Sequence, residues 1–129
     1  MKTSYFGNIR NILIPLSISQ HPPKWYTGPW NKILAPPWEL VDRAQKGMTA
    51  EVYKLEFHKQ VLNKLMPQLM YNELIAQHTE DVVLLCFEKL EKPGDFCHRR
   101  IVATWFECHL GVDVPEWAPP PTVRSTLSF

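Results

Sequence analysis

The sequence has few cysteines, little net charge and no long apolar run, and each lack narrows what the chain can be. Three cysteines, Cys86, Cys97 and Cys108, are an odd count with no paired framework. Reduced thiols and a cytoplasmic location are therefore expected. The formal net charge is only +1. That argues against a strongly basic nucleic-acid binder and an acidic solvating tail, while it permits a local basic patch. No apolar run approaches the ~18 residues of a membrane helix. No secretory leader is expected, because Asn8, Arg10, Asn11 and Pro15 interrupt the apolar residues near the N-terminus. No segment repeats.

What is present is an ordinary globular composition. The chain has 129 residues, 45% hydrophobic and 21% charged, which suits one domain with a normal core. Prolines cluster between Pro15 and Pro37 and between Pro115 and Pro121, leaving the middle free for regular structure. Residues 4–9 and 12–19 read as strands, the second with Pro15 at an end or bulge. A loop rich in Pro, Gly and aromatics follows, and a short helix is expected near Pro37. Thr49 caps the next helix, with Val52, Leu55, Val61, Leu62 and Leu65 inward. Pro67 starts another, with Leu69, Met70, Leu74 and Ile75 inward.

Val82–Phe87 is a continuous apolar run, as in a parallel strand covered on both faces. Asp95 to Leu110 reads as a helix with Asp95 as N-cap and Gly111 at the left-handed C-terminal position. Residues 112–117 suggest a short closing strand. These elements predict a single α/β domain over 1–117, Rossmann-like, with a partly parallel sheet flanked by helices. Residues 118–129 read as a proline-rich, flexible tail.

Ligands of such sheets bind beyond the carboxyl ends of the strands. The stretch "VVLLCFEKLEKPGDFCHRR" spans that place. With Asp95 as the cap, Cys97 falls in the first helical turn, where backbone N–H groups and nearby arginines favour a thiolate. Cys97 is thus a candidate nucleophile, or else a packed thiol. His98 is a candidate proton shuttle, and Glu88 a candidate acid or base. Arg99 and Arg100 at a helix N-terminus need an anion. A ligand phosphate or carboxylate would serve, and so would Glu88, Glu91 or Asp95. Arg10, Ser19, Lys24, Trp25 and Tyr26 are candidates for a second wall, with Lys24 on a phosphate and the aromatics on a base. The alternative for that loop is cover for the sheet edge. Trp30, Trp38 and Trp105 read as packing residues.

Two sharper motifs fail. A cysteine phosphatase places arginine six residues after its cysteine, whereas Arg99 and Arg100 come too soon after Cys97. The two Cys-His pairs, Cys97-His98 and Cys108-His109, lie about 16 Å apart along one helix, too far for one metal. No metal and no cofactor are expected. Cys108 and His109 read as helix packing and Cys86 as core.

"VVLLCFEK…PGDFCHRRIVATWFECHLGVDVPEW" resembles the signature of the Domain of Unknown Function 488 family. "LSISQHPPKWYTG" and "ILAPPWEL" resemble a branch of it found in small bacterial and phage proteins. The likeness runs from about Tyr5 to Trp117, and its specific part is Cys97-His98-Arg99 with Cys86 and Glu88 before it. Ser17-Ile18-Ser19 stands where the family more typically carries Asp-Val-Arg. The resemblance implies a small α/β fold and a pocket around the Cys-His-Arg motif, with no particular reaction. Two functions follow from the residues. One is a small enzyme acting on a phosphate-bearing ligand, such as a nucleotide or nucleic-acid component. The other is a non-catalytic module binding a nucleotide, nucleic acid or protein in the same pocket. A third reading makes the motif structural.

Overall fold

The structure, a computed structural model, describes residues 1–87 and 96–119. Expectations for residues 88–95 and 120–129 lie outside the described residues. They include the role of Glu88 and most of the proline-rich tail.

Three parallel strands form the sheet: β1 (Lys2–Tyr5), β2 (Pro15–Ser17) and β3 (Val83–Cys86), in the order β1-β3-β2. The central strand β3 pairs Val83 with Lys2 and Cys86 with Tyr5 on one side, and Leu85 with Ser17 on the other. All four β3 residues are buried, which explains their unbroken apolar character. Parallel pairing demands long connections. Helices α1 (Trp38–Gln45), α2 (Ala50–Gln60) and α3 (Pro67–His78) supply the one from β2 to β3, and α4 (His98–Leu110) follows β3. The result is the expected small α/β domain.

The sheet has two unequal faces. Leu84 joins Leu16 and Ile18 in the main core, with Phe57, Leu74, Val102 and Phe106 from the helices. Val83 and Leu85 point the other way, into a smaller cluster with Phe6, Ile12 and Tyr26.

Several element boundaries differ from the sequence reading. Residues 6–11 form a 3₁₀ turn rather than continuing the first strand. Asn8 donates to Ser4 Oγ at 3.0 Å within that turn, and the turn brings Phe6 over the sheet. The second strand shrinks to three residues, with Pro15 at its start, where the missing N–H costs no ladder bond. In α2, Thr49 Oγ1 caps as expected, accepting from Val52 N at 3.2 Å. The buried face, however, is Tyr53 and Phe57, while Val52 and Leu55 are exposed. The two aromatics sit one turn apart and stack at 6.2 Å. They bury more apolar area than Val and Leu would, so they take the core. Met70 and Leu74 of α3 are buried as expected, whereas Leu69 is exposed.

Helix α4 begins at His98, and Cys97 rather than Asp95 is its N-cap. Gly111 ends it at φ 68°, in the left-handed region expected of it. The closing strand is reduced to one parallel bridge, Thr3 with Glu116. Of the tryptophans, Trp105 is buried, but Trp30 and Trp38 are each 55% exposed. Cys108 and His109 are exposed and take no part in the core.

Candidate functional site

The carboxyl ends of β2 and β3 meet the N-terminus of α4, and a cavity of about 560 Å³ opens there. Its wall includes Ser19 beyond β2, Cys86 at the end of β3, and Cys97 and His98 at the start of α4. Trp38 of α1 and Tyr53 of α2 also line it. This is where an open α/β sheet places its ligand. The extended backbone of Cys97, φ −149° and ψ 146°, ends the loop, and the helix starts one residue later. The first-turn N–H groups of α4 thus follow directly on Cys97, with a partial positive charge at that helix end, although the Cys97 side chain makes no capping hydrogen bond.

His98 is buried, and its Nε2 lies 2.6 Å from the carbonyl oxygen of Ile18. A carbonyl only accepts, so Nε2 carries the hydrogen. Burial holds the imidazole neutral, with its pKa lowered to about 4; the Ile18 bond opposes that shift and the Arg99 charge adds to it. Nδ1 therefore keeps a lone pair, 3.8 Å from Cys97 Sγ. Cys86 and Cys97 are joined as a disulfide, which departs from the expectation of three unpaired thiols. The reason is tertiary: β3 ends against the cap of α4 and brings two cysteines eleven residues apart together. Cys108 is the free cysteine.

The arginines face other partners. Arg99 is 1% exposed, and Glu116 accepts from its Nε at 3.0 Å and from its Nη2 at 2.7 Å. Its Nη1 reaches Cys86 Sγ at 3.0 Å. Arg100 Nη1 donates to Thr3 Oγ1 at 2.7 Å and to Val114 O at 2.9 Å. Among the described residues the anion that serves both is Glu116, which the sequence reading did not single out; Glu88, Glu91 and Asp95 lie outside the described residues. Both arginines tie α4 to the closing segment beside β1, and neither lines the cavity.

The proposed second wall divides. Ser19 lines the cavity, and its Oγ is buried without a hydrogen-bond partner. Lys24, Trp25 and Tyr26 do not line it. The rings of Trp25 and Tyr26 pack edge-on against Phe6, on the smaller face of the sheet. Tyr26 is buried and donates its hydroxyl to Pro29 O, which fits the loop's role as sheet cover. Arg10 is exposed and does not line the cavity.

In place of those residues the walls carry His21, Trp38, Tyr53 and Phe96. Trp38 and Tyr53 come from α1 and α2, and only the folded crossover brings them to the strand ends. No described lining residue carries a fixed charge. Among the described lining residues, the positive end of α4 is what offers attraction to an anion, with aromatic surface around it.

Among the described residues, no helix is long and apolar enough to cross a membrane. The family model DUF488-N3a, described as the active DUF488-N3 subclade, matches residues 10–110. No curated protein and no solved structure matches the chain. With the model covering most of the sequence, including Cys86, Cys97, His98 and Arg99, the chain belongs to the DUF488 family.

Proposed function

We propose that the chain is a small cytoplasmic enzyme acting on a phosphate-bearing ligand, a nucleotide or nucleic-acid component, held in the cavity at the strand ends. One observation carries this reading. Cys97 caps a thirteen-residue helix in the wall of that cavity, beside a neutral His98, with the unpartnered hydroxyl of Ser19 in the same wall. Helix N–H groups and a free hydroxyl suit phosphate oxygens. Trp38 and Tyr53 suit the flat face of a base. Cys97 contributes its sulfur as nucleophile or polar contact, and in a reduced compartment it does so as a thiol. The family model's description as an active subclade favours catalysis over binding alone.

The test uses reduced protein and a panel of nucleotides and short oligonucleotides, with binding followed by calorimetry and turnover by chromatography. The reading expects binding and slow conversion of at least one member. It expects Cys97→Ala to abolish conversion with the thermal transition retained. Binding without turnover would instead establish the non-catalytic module. No binding by any member would overturn both.

A further inference from the structure

We propose that Cys86 and Cys97, once reduced, form with Nδ1 of His98 a three-ligand site for one zinc ion whose fourth position opens into the cavity. The three ligand atoms lie within 4.8 Å of one another, and all three residues are buried. They come from two segments, the end of β3 and the cap of α4, as zinc sites commonly do. A tetrahedral ion with Zn–S of about 2.3 Å and Zn–N of about 2.0 Å needs ligand atoms ~3.5–3.8 Å apart. Cys97 Sγ and His98 Nδ1 already stand at 3.8 Å. The Cα atoms of Cys86 and Cys97 are 7.1 Å apart, so side-chain rotation can place their sulfurs around an ion.

The surroundings fit as well. Metal-bound histidines usually donate their other ring N–H to a carbonyl or carboxylate, which fixes the tautomer. Ile18 O accepts that hydrogen from His98 Nε2. Arg99 Nη1 is within hydrogen-bonding distance of Cys86 Sγ, a contact that steadies a thiolate. Charge also balances. Two thiolates cancel the dication, so filling the site adds no net charge to its buried surroundings, and Glu116 faces Arg99. Two sulfurs and an imidazole select zinc over magnesium or calcium. Three protein ligands beside a cavity describe a site that keeps a position for water or substrate.

The chemistry balances in two steps. A dithiol reductant gives two electrons and two protons to the disulfide, forming two thiols and its own disulfide. Zinc then displaces two protons, one from each thiol, while His98 Nδ1 binds through its existing lone pair. This inference shares the cavity of the proposed function and assigns Cys97 there as a polar contact, a metal ligand, not a free nucleophile. It does not depend on the ligand being a nucleotide.

Cobalt(II) is the probe, added to the reduced full-length chain. One equivalent should give thiolate-to-cobalt charge-transfer absorption and the intense visible bands of a tetrahedral site, and zinc should bleach both. Cys86→Ser and Cys97→Ser should lose the signal, whereas Cys108→Ser should keep it. His98→Asn should weaken affinity by more than ~100-fold, since even outer-shell partners are worth 10–100-fold. A second readout spares the fold: zinc should protect Cys86 and Cys97 of the wild type from alkylation while Cys108 continues to react. Absent cobalt bands together with no zinc protection would overturn the site, as would a signal lost in Cys108→Ser alone. Nucleotide binding measured with and without a chelator separates this result from the proposed function. Binding that persists without any metal signal defeats the zinc site only.

Discussion

His98 Nε2 donates to the carbonyl oxygen of Ile18 at 2.6 Å, joining the first turn of α4 to the chain just beyond β2. This bond fixes the ring so that Nδ1 faces Cys97. It also couples the site to the stability of the fold.

The coupling predicts a pH dependence for the disulfide form, whose sulfurs hold no ion. His98 has a folded pKa of about 4, against 6.5 for an ordinary histidine. Between those values the unfolded chain binds more protons than the folded one. Stability therefore falls as pH drops from about 6.5 towards 4, by roughly 3 kcal/mol from this group. Urea unfolding at several pH values measures the loss. His98→Asn should flatten this limb, and an unchanged slope in that variant would assign the acid sensitivity elsewhere.

Glu116 holds the buried Arg99 guanidinium through Oε1 and Oε2. Removing the carboxylate leaves a buried cation with fewer partners. The Glu116 side chain is itself 39% exposed, so solvent compensates in part. Glu116→Ala should cost about 2–3 kcal/mol in urea unfolding. Ligand affinity of the folded fraction should change little, because neither residue lines the cavity. A loss of affinity at unchanged stability would return Arg99 to the ligand.

Ser19 offers the opposite contrast. Its Oγ is buried and unpartnered, a state that costs stability in the free protein. Ser19→Ala should leave the ligand-free protein as stable or up to ~1–2 kcal/mol more stable, and should weaken nucleotide binding. Calorimetric unfolding with and without ligand reads both effects. A destabilised variant with normal affinity would make the hydroxyl structural.

Much of the fold was legible because it is written in local pattern. The unbroken run Val82–Phe87 marked the buried strand, which ends at Cys86, Thr49 and Gly111 marked helix ends, and Pro67 marked a helix start. The face of α2 was misread because Val52 and Leu55 fit the helical period as well as Tyr53 and Phe57, and only packing decides between them. The site was legible in part. The carboxyl end of β3 pointed to Cys97 and His98, and Ser19 was placed on the second wall. The meeting of Cys86 with Cys97 was missed, because eleven residues separate them and a strand end must abut a helix cap. Glu116 was missed for the same reason: its closeness to Arg99 depends on the closing segment returning beside β1. Trp25 and Tyr26 lie near β2 in sequence, but their rings pack against Phe6 on the smaller face of the sheet, away from the cavity.

The central claim is that the cavity at Cys97 takes a phosphate-bearing ligand. Alkylation of the reduced, zinc-free wild type, followed cysteine by cysteine by peptide mass spectrometry, tests it most directly. Exposed Cys108 serves as the internal control. A bound nucleotide should slow modification of Cys97 by about tenfold at ten times its Kd, while Cys108 reacts as before. If Cys97 is modified at one rate whatever nucleotide or oligonucleotide is present, and at any concentration, the ligand assignment is contradicted.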